Sequence, residues 1–119
     1  MLTFGREIRV HLAARPVDFR KGIDGMAQSC REILHEDPFC GTVFVFRNRR
    51  ATSLKVLVYD GRGFWLCQKR LSKGRLQWWP QADAPGLTLE AHELVVLLNG
   101  GDPEGARASP VWRPVKKAA

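Results

Sequence analysis

Nine of the 19 lysines and arginines of this chain fall between Arg47 and Arg75: Arg47, Arg49, Arg50, Lys55, Arg62, Lys69, Arg70, Lys73 and Arg75. Asp60 is the one acid among them, so this stretch carries +8 in a chain whose total is +7. Basic charge that is local, and that lies in the most strand-like part of the sequence, fits contact with a polyanion. The candidate nucleic-acid-binding residues are Arg47, Arg49, Arg50, Lys55, Lys69, Arg70, Lys73 and Arg75. Trp65, Trp78 and Trp79 could stack on bases, or serve as core and interface tryptophans. The competing reading of the cations is a solvated sheet rim whose charges blunt exposed edges. A second candidate is a phosphate site at Arg20, Lys21 and Gly22, where the entry to a helix would offer free N–H groups beside two cations. The alternative there is a solvated helix entrance with glycines that serve packing.

Other chemistry is thinly supported. His11, His35 and His92 are scattered, and no serine or cysteine stands in a nucleophile motif. Asp18, Asp24 and Asp60 could be imagined as a metal-binding set. Each also has a local duty: a cap for Asp18, a first-turn acid for Asp24, turn geometry for Asp60. No phosphate-cradling glycine loop occurs. Cys30, Cys40 and Cys67 lack metal-ligand spacing and read as buried free thiols, which points to a reducing, cytoplasmic setting. No catalytic residue, metal, cofactor or small-molecule substrate is expected. The start of the chain does not read as a signal peptide, and Leu94 to Leu98, its longest apolar run, is too short for a bilayer, so no membrane partner is expected.

The elements that must position these residues follow from periodicity. At 119 residues, with 45% hydrophobic and 26% charged, the chain reads as one globular domain. Ile8 to Ala13 alternates as an edge or half-buried strand. Asp18 can cap a first helix whose stripe is Phe19, Ile23, Met26, Ala27, Cys30, Ile33 and Leu34. Gly22 and Gly25 delay its start to about Ile23 or Asp24, and Glu36-Asp37-Pro38 ends it. Four strands are expected next: Thr42 to Arg47, Leu54 to Tyr59, Phe64 to Leu71, and Arg75 to Trp79, with a hairpin turn at Asp60 to Gly63. Gln81 to Gly86 reads as a loop. Thr88 caps a second helix with Ala91, Leu94, Val95, Leu97 and Leu98 inward, and Gly100 closes it. The fold expected is α+β, an antiparallel meander of about four or five strands packed by two helices. Residues 1–101 form the domain and 102–119 a poorly ordered basic tail. In such a meander Arg47 and Lys69-Arg70 finish at the same end, beside the Asn48 to Thr52 and Ser72 to Gly74 loops.

Longer runs add a resemblance. Pro16-Val17-Asp18-Phe19-Arg20-Lys21-Gly22-Ile23-Asp24-Gly25 is the first. Asp37 to Arg50, Leu54 to Gly61, Gly63-Phe64, Lys69-Arg70-Leu71, Gly74 and Trp79-Pro80 follow in order, with a leucine-rich helix before Asn99-Gly100-Gly101. Over roughly residues 6 to 101 the chain resembles the small accessory proteins, usually called TnpB, of the insertion-sequence-sixty-six family of bacterial transposable elements. The resemblance implies a part in transposition beside a separate, larger transposase that carries the catalytic acids, and partnership with that transposase and another accessory protein of the same element. It supplies no catalytic residues. The unrelated RNA-guided nuclease of the same name would not fit in so short a chain. The expectation is a non-catalytic accessory factor that binds DNA through a basic sheet rim. The alternative is an adaptor for the transposase or a sister protein without direct DNA contact. A small nuclease using the aspartates is a third and weaker reading. In the tail, Trp112 stands alone among prolines and cations and is a candidate partner anchor.

Overall fold

The computed structural model describes residues 8–81 and 83–104. Five strands form one sheet in the order β4-β3-β2-β1-β5. They are β1 (Val10–Ala13), β2 (Val43–Arg47), β3 (Ser53–Tyr59), β4 (Phe64–Arg70) and β5 (Gly86–Leu89). Helix α1 (Ile23–Ser29) runs on into a π-helical turn (Cys30–Leu34), and α2 (Ala91–Leu98) follows β5. The fold is α+β, as the sequence predicts, but the sheet is mixed. β1 lies parallel to β2 and antiparallel to β5, while β2, β3 and β4 form the expected antiparallel run. A parallel pair needs a crossover, and α1 with its π turn provides it.

The helices lie on opposite faces of the sheet. Leu94 and Leu97 of α2 join Val10, Leu12, Val43, Val45, Leu54, Val58 and Leu89 on one face. Met26, Ala27, Cys30 and Leu34 meet Ala13, Phe44, Phe46 and Leu57 on the other. This double cover explains Val43-Phe44-Val45-Phe46: a central strand buried on both faces needs apolar residues at every position. It also places β1 in the interior of the sheet, between β2 and β5, and not at an edge.

Several local expectations are corrected. Arg75 to Trp79 is not a strand; it crosses the α2 face in irregular conformation, with Leu76, Trp78 and Trp79 packed on the core. The fifth strand comes instead from Gly86 to Leu89, so Thr88 pairs with His11 and caps nothing. The α2 cap is Glu90, in a reciprocal capping box with Glu93. Gly86 must be glycine, because a Cβ there would stand 2.5 Å from the Leu12 carbonyl oxygen and 2.6 Å from Leu34. At the first helix, Gly22 takes the N-cap position and Asp18 lies outside it. Ile23 and Val95, expected inward, are 40% and 57% exposed. Of the cysteines only Cys30 is buried; Cys40 and Cys67 are exposed.

One charge sits inside. Lys55, in the middle of β3, is 5% exposed on the α1 face. Its ammonium donates to the carbonyls of Phe19 (2.7 Å) and Lys21 (2.9 Å) and lies 5.0 Å from the Phe19 ring centre. Lys55 is therefore a strut between sheet and loop, and not part of the solvent-facing rim expected for it.

Two outcomes follow. Lys55→Met keeps the stem but leaves both carbonyls without their charged donor, which costs about 2–4 kcal/mol. Urea melts should show that loss, with faster amide exchange over residues 18–22. Burial pushes the Cys30 thiol up to about 12, so it stays protonated and unreactive at neutral pH. Alkylation of the native protein followed by peptide mapping should modify Cys40 and Cys67, and Cys30 only after denaturation.

Candidate nucleic-acid interface

The β2–β3 connection is a short loop built around Asn48. Its side-chain oxygen accepts from the N–H groups of Thr52 (2.9 Å) and Ser53 (3.1 Å), and its amide donates to Thr52 Oγ1 at 2.9 Å. The N–H of Ala51, in left-handed conformation (φ 59), donates to the Asn48 carbonyl. These bonds close the loop without using Arg49 or Arg50, which are exposed at its tip. The β4 exit is bound to the same loop. Leu71 N–H donates to Thr52 O (2.9 Å) and Leu76 N–H to Ala51 O (2.8 Å). The Ser72-to-Arg75 turn between them, with Gly74 at φ 77, is held beside Arg49 and Arg50. Arg70 closes β4 opposite Ser53. Arg49, Arg50, Arg70, Lys73 and Arg75 are thereby gathered, all exposed, at one end of the sheet.

The other cations differ. Arg47 is half-buried, with its guanidinium carbon 6.0 Å from the centre of the Trp79 ring and one nitrogen donating to the carbonyls of Asn48 and Arg49. Its Nε is buried without a hydrogen-bond partner among the described residues. Burial, then the neighbouring Arg49 charge, push its pKa below the ordinary arginine value. Lys69 Nζ donates to the Leu98 carbonyl at 2.6 Å, a cation on the C-terminal end of α2. Arg62 lies in the Asp60-to-Gly63 turn at the opposite end of the sheet. Trp65 belongs to that opposite end too, its indole N–H on Asp60 at 2.8 Å. Trp79 donates to the Ala13 carbonyl at 2.8 Å, and Trp78 is packed on the core. The tryptophans do not surround the basic end as stacking platforms.

The Arg20-Lys21-Gly22 segment adjoins this end. Val17 N–H donates to Arg47 O at 3.0 Å, and Pro16 to Arg20 face Asn48 to Arg50 across a cleft of about 380 Å³. The cations of the segment are engaged internally. The Arg20 guanidinium grips the Asp18 carboxylate through Nε and Nη2 at 2.7–3.1 Å. Lys21 Nζ donates to Ser29 Oγ at 3.2 Å, and its stem lies over Gly25, where a Cβ would meet it at 2.8 Å. Among the described residues the ion pair within 4 Å is Arg20–Asp18, with His11 Nδ1 3.5 Å from a Glu36 carboxylate oxygen, so none of the five outward cations is neutralised by an acid. Also among these residues, no group of three His, Cys, Asp or Glu side chains is placed to hold a metal. No described helix is long and apolar enough to cross a membrane. Trp112 lies outside the described residues.

A family model described as "IS66 Orf2 like protein" matches residues 8–108. The chain belongs to this family. Its members serve as accessory proteins of insertion-sequence transposition. Two proteins of Sinorhizobium fredii (strain NBRC 101917 / NGR234) are similar over nearly their whole lengths. The uncharacterized protein y4jC is 36% identical over 118 residues, 99% of this chain and 100% of its own. The uncharacterized protein y4hO is 37% identical over 116 residues, 98% of each. No solved structure matches the chain.

The Asp18–Arg20 pair gives a pH test. Hydrogen bonds from the Arg20 side chain and backbone hold the Asp18 carboxyl at about 2, below its usual 3.8. A depressed carboxylate contributes stability that is complete above 3.8 and is lost as pH falls through about 2. Arg20→Ala removes the side-chain bonds and keeps the backbone N–H of residue 20, so the Asp18 carboxyl should titrate higher than in the parent while staying below the ordinary range, read as an upward shift of its side-chain carbonyl NMR midpoint.

Proposed function

We propose that this family member acts in transposition as a non-catalytic DNA-binding factor, with Arg49, Arg50, Arg70, Lys73 and Arg75 contacting the phosphate backbone. The observation that carries this reading is the gathering of five exposed cations, unpaired by acids among the described residues, on loops tied together by backbone hydrogen bonds. Fixed loops matter, because a preorganised cation loses less entropy on meeting phosphate. Arg47 and Lys69 support the surface from behind: one stiffens the β2 exit, the other fixes the end of α2 beside β4. Arginine dominates, which suits bidentate contact with phosphate oxygens. Nothing in the arrangement selects a base, so the contact proposed reads backbone and not sequence.

In this reading the protein positions DNA, or bridges it to the transposase, while bond breaking belongs to the transposase. Asp18 supports such a role: its carboxylate is engaged by Arg20 and does not stand open to a metal. An adaptor reading draws on the far end of the sheet, where Phe39, Tyr59 and Phe64 form a ring cluster with centres 4.9–5.1 Å apart and Phe39 is 50% exposed.

Binding of the purified protein to element-end and scrambled duplexes across a salt series separates the two. Phosphate contact by the five cations gives a log K against log salt slope of about −4 to −5, nearly equal for both duplexes. Arg49→Ala with Arg50→Ala should flatten that slope by about 2 without changing the melting temperature, and added Mg²⁺ should produce no strand cleavage. A flat salt response, or no retention at low salt, refutes the DNA reading and favours the adaptor.

A further inference from the structure

Among the described residues β4 is an edge of the sheet, with β3 on one side and no strand on the other. Its pairing to β3 is unbroken from Tyr59↔Phe64 to Ser53↔Arg70. It contains neither proline nor bulge, two devices by which edges are usually blunted. The phase of its hydrogen bonds is fixed at both ends: Asp60 N–H donates to Gly63 O, and Leu71 N–H donates to Thr52 O. With the observed register, odd-numbered residues of β4 bond to β3, since bonded and non-bonded pairs alternate in an antiparallel ladder. The N–H and C=O groups of Phe64, Leu66, Gln68 and Arg70 therefore point outward.

These free groups can be satisfied by a second copy of the same strand. An antiparallel β4–β4 pair about a two-fold axis at Cys67 matches every residue of the strand. Phe64 then faces Arg70 of the other copy, Trp65 faces Lys69, Leu66 faces Gln68, and Cys67 faces itself. Phe64–Arg70 and Leu66–Gln68 become hydrogen-bonded pairs, so all the outward backbone groups find partners.

The side chains agree with this register. The only charges on β4 are Lys69 and Arg70, at one end, and the aromatic residues Phe64 and Trp65 are at the other. Antiparallel pairing lays each cation across an aromatic ring, a favourable contact. Displacing the register so that Lys69 faces Lys69 would set like charges together. Both partners are also held in place: Trp65 by Asp60 at 2.8 Å, and Lys69 by the Leu98 carbonyl, which leaves its stem extended along the α2 face. Trp65 is 42% exposed, and Leu66 is half-buried beside the open edge.

We infer that the protein forms a two-fold dimer by antiparallel pairing of β4 with β4 of a second copy, joining two five-stranded sheets into one continuous sheet. The partner is another copy of this chain, because the sequence of β4 complements its own reverse. The two basic ends then point in opposite directions along the joined sheet, with Arg70 at the seam and Arg49, Arg50, Lys73 and Arg75 left open.

The register makes a chemical test available. Cys67 would face its counterpart in a non-hydrogen-bonded pair, where Cα atoms approach to about 4.5 Å. That separation falls within the span of a disulfide, roughly 4.4–6.8 Å. Diamide should oxidise the two Cys67 thiols to one disulfide, its N=N bond taking up both protons and both electrons. Sedimentation equilibrium of the full chain over a concentration series should give a dimer. Diamide should convert it to a covalent dimer whose linked peptides both contain Cys67. Cys67→Ser should remain a dimer in sedimentation and lose the covalent product. Gln68→Pro removes an outward N–H without touching the β3 ladder, so it should melt like the parent and sediment as a monomer. If that variant fails to fold, the Cys67 linkage in the parent chain decides. A parent that stays monomeric at every concentration, a disulfide formed through Cys40, or a folded Gln68→Pro that still dimerises overturns the inference.

Discussion

The Lys55 ammonium is the contact on which the rest of this structure depends. A lysine in the middle of a covered sheet is costly unless its donors are used. Among the described residues no acid pairs with it; backbone oxygens of Phe19 and Lys21 receive it, and the Phe19 ring lies alongside. Those carbonyls belong to the loop before α1, whose backbone is also tied to β2 by the Val17 N–H on the Arg47 carbonyl. One ion therefore satisfies two carbonyls at the end of the loop, just before the α1 cap at Gly22, and ties the crossover from β1 to β2 to the middle of β3. The same loop forms one wall of the cleft opposite Asn48 to Arg50. A residue expected to touch a ligand instead shapes the ground beside it.

That division runs through the whole basic stretch. Lys55, Lys69 and Arg47 are turned to carbonyl oxygens, the only abundant acceptors where acids are few. Arg49, Arg50, Arg70, Lys73 and Arg75 are left to solvent. The Asn48 side chain makes the division possible, because it closes the loop with its own amide and spares the adjacent arginines. Charge density in a sequence overstates a binding surface when part of that charge holds the surface together.

Much of the architecture was legible in the residues. The apolar run at Val43 to Phe46, the Asp60-to-Gly63 turn and the spacing of Met26, Ala27, Cys30 and Leu34 each fix a local conformation, and each appears where periodicity places it. Parallel pairing of β1 with β2 was not legible, since period-two alternation says nothing about the direction of a neighbour. Gly86 to Leu89 read as a loop and a cap because a four-residue strand running into a helix carries too little pattern. Arg75 to Trp79 misled in the other direction. Its large apolar residues are there to cover the α2 face, and burial without a ladder looks like a strand in sequence. Of the candidate site, the convergence of Arg47 and Lys69-Arg70 at one end followed from strand direction alone. The inward fate of Lys55 did not, because strand parity placed it beside Leu57 without revealing that a helix covers that face.

The composition of β4 shows a further constraint. An edge strand must stay soluble as a monomer and must not pair indiscriminately. β4 meets this with two cations and no proline, which defends one half of the strand and leaves the half carrying Phe64 and Trp65 apolar. Such a strand repels a parallel copy in register, which would set Lys69 on Lys69 and Arg70 on Arg70. It accepts the antiparallel one, where each cation meets a ring. Polarity along a single strand thus specifies both direction and register of pairing, much as charged flanking positions do in a coiled coil. The central position of Cys67 follows from the same arithmetic: in a strand whose two halves complement each other, the residue midway between them must tolerate its own likeness, and a small, uncharged thiol does.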